Sequence, residues 1–212
     1  IETRLETALA ARERTSAGPS NVVVDAAMLQ QAIEAALRDG ERARFDAMKP
    51  REVIKSAEEL INTRSDLPKA RAMLEALLQR NLAREERQQA LLQLGIGLRS
   101  SADHAASSAA LQQAIDLAGG LESADGAWAG FQMAWNHQFA NDAATARRWF
   151  ADVARSSGSV TPLRIEAMWN AAKLAPAGDP SARAELEAVL RECGDDPAFR
   201  HIADDVRARL DR

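Results

Sequence analysis

The sequence predicts an all-α fold, and three observations predict it. Composition favours helix: Ala and Leu dominate, Tyr is absent, aromatics make up 4% of the chain, and Gly and Pro number 11 and 7 in 212 residues. Periodicity agrees, because apolar residues recur three and four apart in one segment after another, the spacing that gathers them on one helical face. The breaks between segments are short and carry helix-capping chemistry.

Taken in order, amphipathic helices are expected near 2–14, 25–39 and 41–48, followed by 51–64, 67–80, 84–100, 103–118, 122–139, 142–156, 162–174, 180–193 and 197–210. The first carries Ile1, Leu5 and Leu9 on one face and is set apart by RTSAGPSN, residues 14 to 21, which is the one stretch resembling a linker. This divides the chain into an N-terminal helical extension, 1–50, and a body, 51–212. Asp25, Asp66, Asp103 and Asp142 stand where an N-cap oxygen is needed. Thr161-Pro162, Asp179-Pro180 and Asp196-Pro197 couple a cap oxygen to a proline whose missing N–H is harmless in the first turn. Gly40, Gly119, Gly158 and Gly194 fall where a helix calls for a left-handed terminator.

The totals narrow the function classes. A chain of this length with 46% hydrophobic and 27% charged residues can bury a core. Its net charge of −4, with acids and bases interspersed, offers no basic stripe to neutralise a phosphate backbone, so no nucleic-acid partner is expected. The longest apolar runs fall short of the roughly 18 to 20 residues a bilayer span needs, so no direct membrane insertion is expected either. Cys193 is the single cysteine, which rules out an internal disulfide and a thiolate cluster. The chain begins at Ile1 rather than Met, which leaves room for a segment removed ahead of it, and the compartment stays open between cytoplasm and periplasm.

No reaction chemistry is legible. No nucleophile stands beside a plausible base, no glycine-rich phosphate loop occurs, and LGIGL lies inside a helix rather than after a strand. His104, His137 and His201 are isolated from one another. The nearest approach to a ligand set, His201 with Asp204 and Asp205, reads as a solvated capping face, and Asp195 and Asp196 read as caps. No catalytic residue, cofactor or metal is therefore expected, and the chain is read as a non-enzyme.

Internal repetition is the informative finding. From residue 51 the helices pair. The second helix of each pair carries a small residue, a large apolar one four later and another apolar one three beyond: Ala70-Leu74-Leu77, Ser107-Leu111-Ala114, Ala146-Phe150-Val153 and Ala182-Leu186-Val189. Their separations are 37, 39 and 36 residues. Gly119, Gly158 and Gly194 each stand eight residues after the large position, with Leu82 the exception. In the first helices, Ile54-Ala57-Glu58-Ile61, Leu91-Leu94-Gly95-Leu98 and Trp128-Phe131-Gln132-Trp135 share one spacing. This pattern, over residues 51 to 194, resembles the tetratricopeptide repeat, whose period is about 34 residues. The fourth unit departs most, since bulky Trp169 stands where the family has a small residue.

The resemblance implies a right-handed α-solenoid of about four helical hairpins, with the extra N-terminal helices ahead of it and a capping helix at 197–210. It also implies a protein or peptide partner laid in a concave groove, centred here on residues 122 to 175. Seven of the nine aromatics fall in that region: Trp128, Phe131, Trp135, Phe139, Trp149, Phe150 and Trp169. Trp128, Phe131 and Trp135 take the repeat's packing positions and are read as core, whereas Trp149 and Trp169 are read as the rings available to a partner. In tetratricopeptide domains, groove asparagines hold the ligand backbone and basic residues clamp its carboxylates. Asn136, Asn170 and Lys173 could serve so, with plain solvation as the competing reading. The leading expectation is an adaptor or scaffold. The alternative is a ligand-sensing regulatory module of a larger membrane-anchored or signalling protein.

Overall fold

A computed structural model describes residues 42–176 and 179–211. Every regular element among these residues is helical. A helical run over 42–47 belongs to one compact unit, Ile1–Ala47, and Met48–Arg212 forms a second. The second unit contains α1 (Pro50–Thr63), α2 (Leu67–Leu78), α3 (Arg84–Ser100), α4 (His104–Ala118), α5 (Ala124–Phe139), α6 (Ala143–Arg155), α7 (Thr161–Lys173), α8 (Ala182–Cys193), a 3-10 turn (Pro197–Phe199) and α9 (Arg200–Leu210). The helices expected at 2–14 and 25–39, the stretch 14–21, the cap Asp25 and the terminator Gly40 lie outside the described residues.

Cap chemistry sets most of the starts. Asp66, Asp103 and Asp142 each accept a backbone N–H from three residues on, at 3.0, 3.3 and 3.1 Å, which satisfies a donor the first turn would otherwise leave unpaired. Ser123 does the same for α5 through Gly126 N–H at 3.1 Å. The proline sites divide. Asp196 caps the 3-10 turn through Ala198 N–H at 2.9 Å. Asp179 accepts instead from the backbone and hydroxyl of Ser181, so α8 starts two residues later than expected. The residue before α7 is Val160, and Thr161 lies inside the helix.

Gly119 and Gly194 end their helices at φ of 87° and 52°, the region where a side chain is costly. Gly158 does not: its φ is not positive. Its reason for being glycine is space. A Cβ placed there would lie 2.3 Å from Ser123 O and 2.4 Å from Leu121 O, so the backbone of the 121–123 loop rests directly on it.

Each helix packs chiefly on the helices before and after it in the chain, and the stronger contacts that skip a helix join α1 to α3, α3 to α5 and α7 to α9. The repeated triplets are the floor of this packing. Ala70, Leu74, Leu77, Ser107, Leu111, Ala114, Ala146, Phe150 and Val153 are all fully buried. Small residues bring backbones together: a Cβ on Gly95 would overlap Leu111 at 2.6 Å, and Ser107 donates its hydroxyl to Gly95 O at 2.7 Å. Burying a Leu or Phe side chain is worth about 1.5 to 3 kcal/mol, so these positions carry much of the favourable free energy. In the last unit Ala182 is only half-buried, and the packing shifts to Ile165, Val189, Ile202 and Val206. No helix among the described residues is long and apolar enough to cross a membrane.

Candidate functional site

The site grows from the packing of α5, followed around its circumference at 100° per residue. Ala127, Phe131 and Ala134 enter the core cluster with Phe150 and Val153 of α6 and Leu163 and Ala167 of α7. Gly130 lies so close to the 121–123 loop that a Cβ would fall 2.5 Å from Leu121. Gln132 and Asn136 turn toward α3 and α4. Arg99 donates to Gln132 O at 3.1 Å and to its Oε1 at 3.0 Å. Asn136 Nδ2 donates to His104 O at 2.9 Å and to Ser108 Oγ at 2.8 Å, and its Oδ1 lies 3.0 Å from His104 Nδ1. With both amide hydrogens on Nδ2 engaged, Oδ1 is the acceptor, so the His104 proton sits on Nδ1.

Neighbours thus cover α5 on nearly every side. Beyond Ala124 and Asp125 in its first turn, its open line is Trp128 and Phe139, 43% and 59% exposed, with half-buried Trp135 between them. With Phe131 these rings form a continuous ladder: Trp128–Phe131 stacked at 5.7 Å, Phe131–Trp135 edge-on at 6.2 Å, Trp135–Phe139 at 5.9 Å. Phe150 braces it from below, edge-on to Phe131 at 5.4 Å and to Trp135 at 5.6 Å. The Arg99 guanidinium lies 5.8 Å from the Phe139 ring centre. By contrast, α1 exposes Arg51, Lys55 and Glu59, and α9 exposes His201, Asp204 and Arg207, all polar or charged. The aromatic face is therefore local to α5.

Beside Trp128 the surface is hollowed between α5 and α7, where no contact comparable to that between α3 and α5 closes the gap. This cavity, about 290 Å³, is lined by Ala124, Trp128, Gly158, Val160, Pro162, Leu163 and Glu166. Val160 on its rim is 60% exposed. A larger hollow of about 550 Å³ opens between α6 and α8, but its cations have partners. Arg147 pairs with Asp179 and Glu185 at 2.9 and 2.7 Å, and Arg155 with Asp152 at 2.5 Å. The smaller cavity is the better candidate because it adjoins the exposed aromatic line.

The residues singled out from sequence fall elsewhere. Trp149 is half-buried against the core around Phe150. Trp169 is also half-buried: its Nε1–H donates to Asp205 at 2.9 Å, His201 stands edge-on at 6.1 Å, and the Lys173 ammonium sits 3.5 Å from its ring centre. Burial lowers the Lys173 pKa from its ordinary value, against an opposing pull from Asp205. Asn170 is 3% exposed, donates to Glu166 O at 2.9 Å, and has a buried Oδ1 without a partner among the described residues. Asn136 is committed to α4. Trp128, expected in the core, thus faces outward, whereas Trp149, expected outward, is half-buried. Asn136→Ala is expected to lower stability by about 1 to 3 kcal/mol by stripping partners from His104 and Ser108. An unchanged urea midpoint would show that this network contributes nothing.

Sequence reasoning missed Trp128, Phe139 and Val160 as surface residues. Part of the signal was available: Gly126, Ala127, Ala129, Gly130 and Ala134 are small and let neighbours close on α5, while Asp125, Gln132 and Asn136 share one polar side. A helix surrounded so closely turns outward the bulky side chains its neighbours leave no room for. No group of three or more His, Cys, Asp or Glu able to hold a metal occurs among the described residues. Compared with known proteins, the chain matches no family model and has no significant match among curated proteins.

Proposed function

We propose that this chain is a tetratricopeptide-like adaptor. Its hairpins α1–α2, α3–α4, α5–α6 and α7–α8 stack as a right-handed solenoid closed by α9, and a protein or peptide partner docks along α5 and α7. Packing between chain neighbours, fully buried triplets in the first three units and the close Gly95–Ser107 contact support the stacking. One observation carries the function: α5, enclosed over most of its surface, leaves Trp128 and Phe139 exposed with half-buried Trp135 between them. Large exposed rings held in place from below are what an interface anchor requires, because little side-chain entropy remains to be lost on binding. The role is recognition without reaction chemistry.

The test is a paired substitution, Trp128→Ser with Phe139→Ser. Both rings are exposed, so the melting temperature is expected to stay within a few degrees of wild type. Affinity capture of partners from the source organism's lysate is expected to fall roughly thirty-fold, as for loss of about 2 kcal/mol at an anchor. Undiminished capture by the folded variant would defeat the proposal.

A further inference from the structure

We propose that the cavity beside Trp128 receives a cationic side chain, a Lys or Arg of the docking partner, and discriminates against a carboxylate. The inference rests on the docking role above and specifies its chemistry. One face of the Trp128 indole is stacked on Phe131 at 5.7 Å with an interplanar angle of 20°, and the ring is still 43% exposed, which leaves its other side to the solvent. The negative face of an indole attracts ammonium and guanidinium groups. Val160, Pro162 and Leu163 provide apolar wall for an alkyl stem, and the one charged residue lining the cavity is Glu166.

One further carboxylate stands near it. Asp125 is not that group, since it lines a separate hollow with Arg84, Glu85 and Gln88. Glu122 accepts the backbone N–H of Ser157 at 3.0 Å and the Ser157 hydroxyl; these bonds hold its carboxyl below the usual range, so it stays ionised. Ser157 adjoins Gly158 of the cavity lining. Of the nearby cations, Lys173 sits on the Trp169 ring and is attracted by both Asp205 and Glu166, and Arg99 is engaged by Gln132 and Phe139. A carboxylate entering here would meet Glu166 in the lining and Glu122 beside it, with no basic side chain among the lining residues, whereas a cation gains both the ring and the charges.

The experiment titrates the full chain with n-butylguanidinium, n-butanol and butyrate, following the Trp128 indole N–H resonance, which is identified by its disappearance in Trp128→Phe. Butylguanidinium is expected to shift that resonance saturably, with half-saturation roughly three- to fivefold below that of butanol, and butyrate to shift it least. Glu166→Gln should remove most of the guanidinium advantage and leave the butanol titration and the melting temperature unchanged. Butyrate binding as well as butylguanidinium, an undiminished advantage in Glu166→Gln, or no response to the cation would each overturn the inference. Equal response to all three overturns the charge selection and leaves the docking proposal standing, since that is judged by partner capture with Trp128→Ser and Phe139→Ser.

Discussion

Phe150→Ala is expected to lower the unfolding free energy by about 3 to 5 kcal/mol, the range for emptying an aromatic site in a close-packed core. Phe150 is fully buried, and its ring is the shared edge-on partner of Phe131 and Trp135. Truncation removes the apolar burial and also leaves a void beneath the aromatic ladder, which the small neighbours Ala127, Ala134 and Ala146 cannot fill. A domain of this size commonly has about 5 to 15 kcal/mol in total, so one side chain would account for a large part of it. Urea denaturation followed by circular dichroism gives the loss, and the near-ultraviolet tryptophan bands should weaken as Trp135 gains freedom. A loss under about 1 kcal/mol would mean that the helices close over the gap, contrary to the tight packing described.

Gly158→Ala is expected to cost about 3 kcal/mol or more, at the upper end for an overpacked site. The new methyl would stand 2.3 Å from Ser123 O, 2.4 Å from Leu121 O and 2.5 Å from Ser123 C. These are backbone atoms, so no rotamer change relieves the clash. The 121–123 loop has to move, and with it the Ser123 cap of α5 and the Ser157–Glu122 hydrogen bond. Gly119→Ala is the control: φ is 87° there but no atom lies within 4 Å of the new carbon, so only backbone strain of about 1 to 2 kcal/mol is incurred. Parallel urea curves should rank Gly158→Ala as the more damaging. The reverse order would mean that the 121–123 loop yields to the methyl and that close contact is not what selects glycine at 158.

Local chemistry explains what was legible. α1 through α8 begin and end within two residues of the spans expected from sequence, because a cap such as Asp66, Asp103 or Asp142 acts on the next three residues and needs no distant partner. The buried triplets were legible for a similar reason, since a spacing of four and three fixes a shared face regardless of what covers it. What stayed hidden depends on parts of the chain far apart. Gly158 looks like any terminator until the 121–123 loop is laid upon it. Asn136 and Asn170 look like equivalent polar points on the first helices of successive pairs, yet one meets His104 and Ser108 and the other folds back on Glu166 O. Periodicity placed Trp128, Phe131, Trp135 and Phe139 on one stripe but could not say whether it faced in or out, because that depends on how many neighbours α5 acquires. Trp169, read from the sequence as a ring available to a partner, is half-buried and donates its indole N–H to Asp205 of α9.

The dominance of contacts between consecutive helices bears on how the chain acquires its structure. Each contact of this kind closes only a short loop, so little entropy has to be surrendered before attraction begins. Pairs of helices can thus condense at several points independently and then coalesce. A polypeptide emerging from the ribosome could secure its earlier hairpins before the later ones are synthesised.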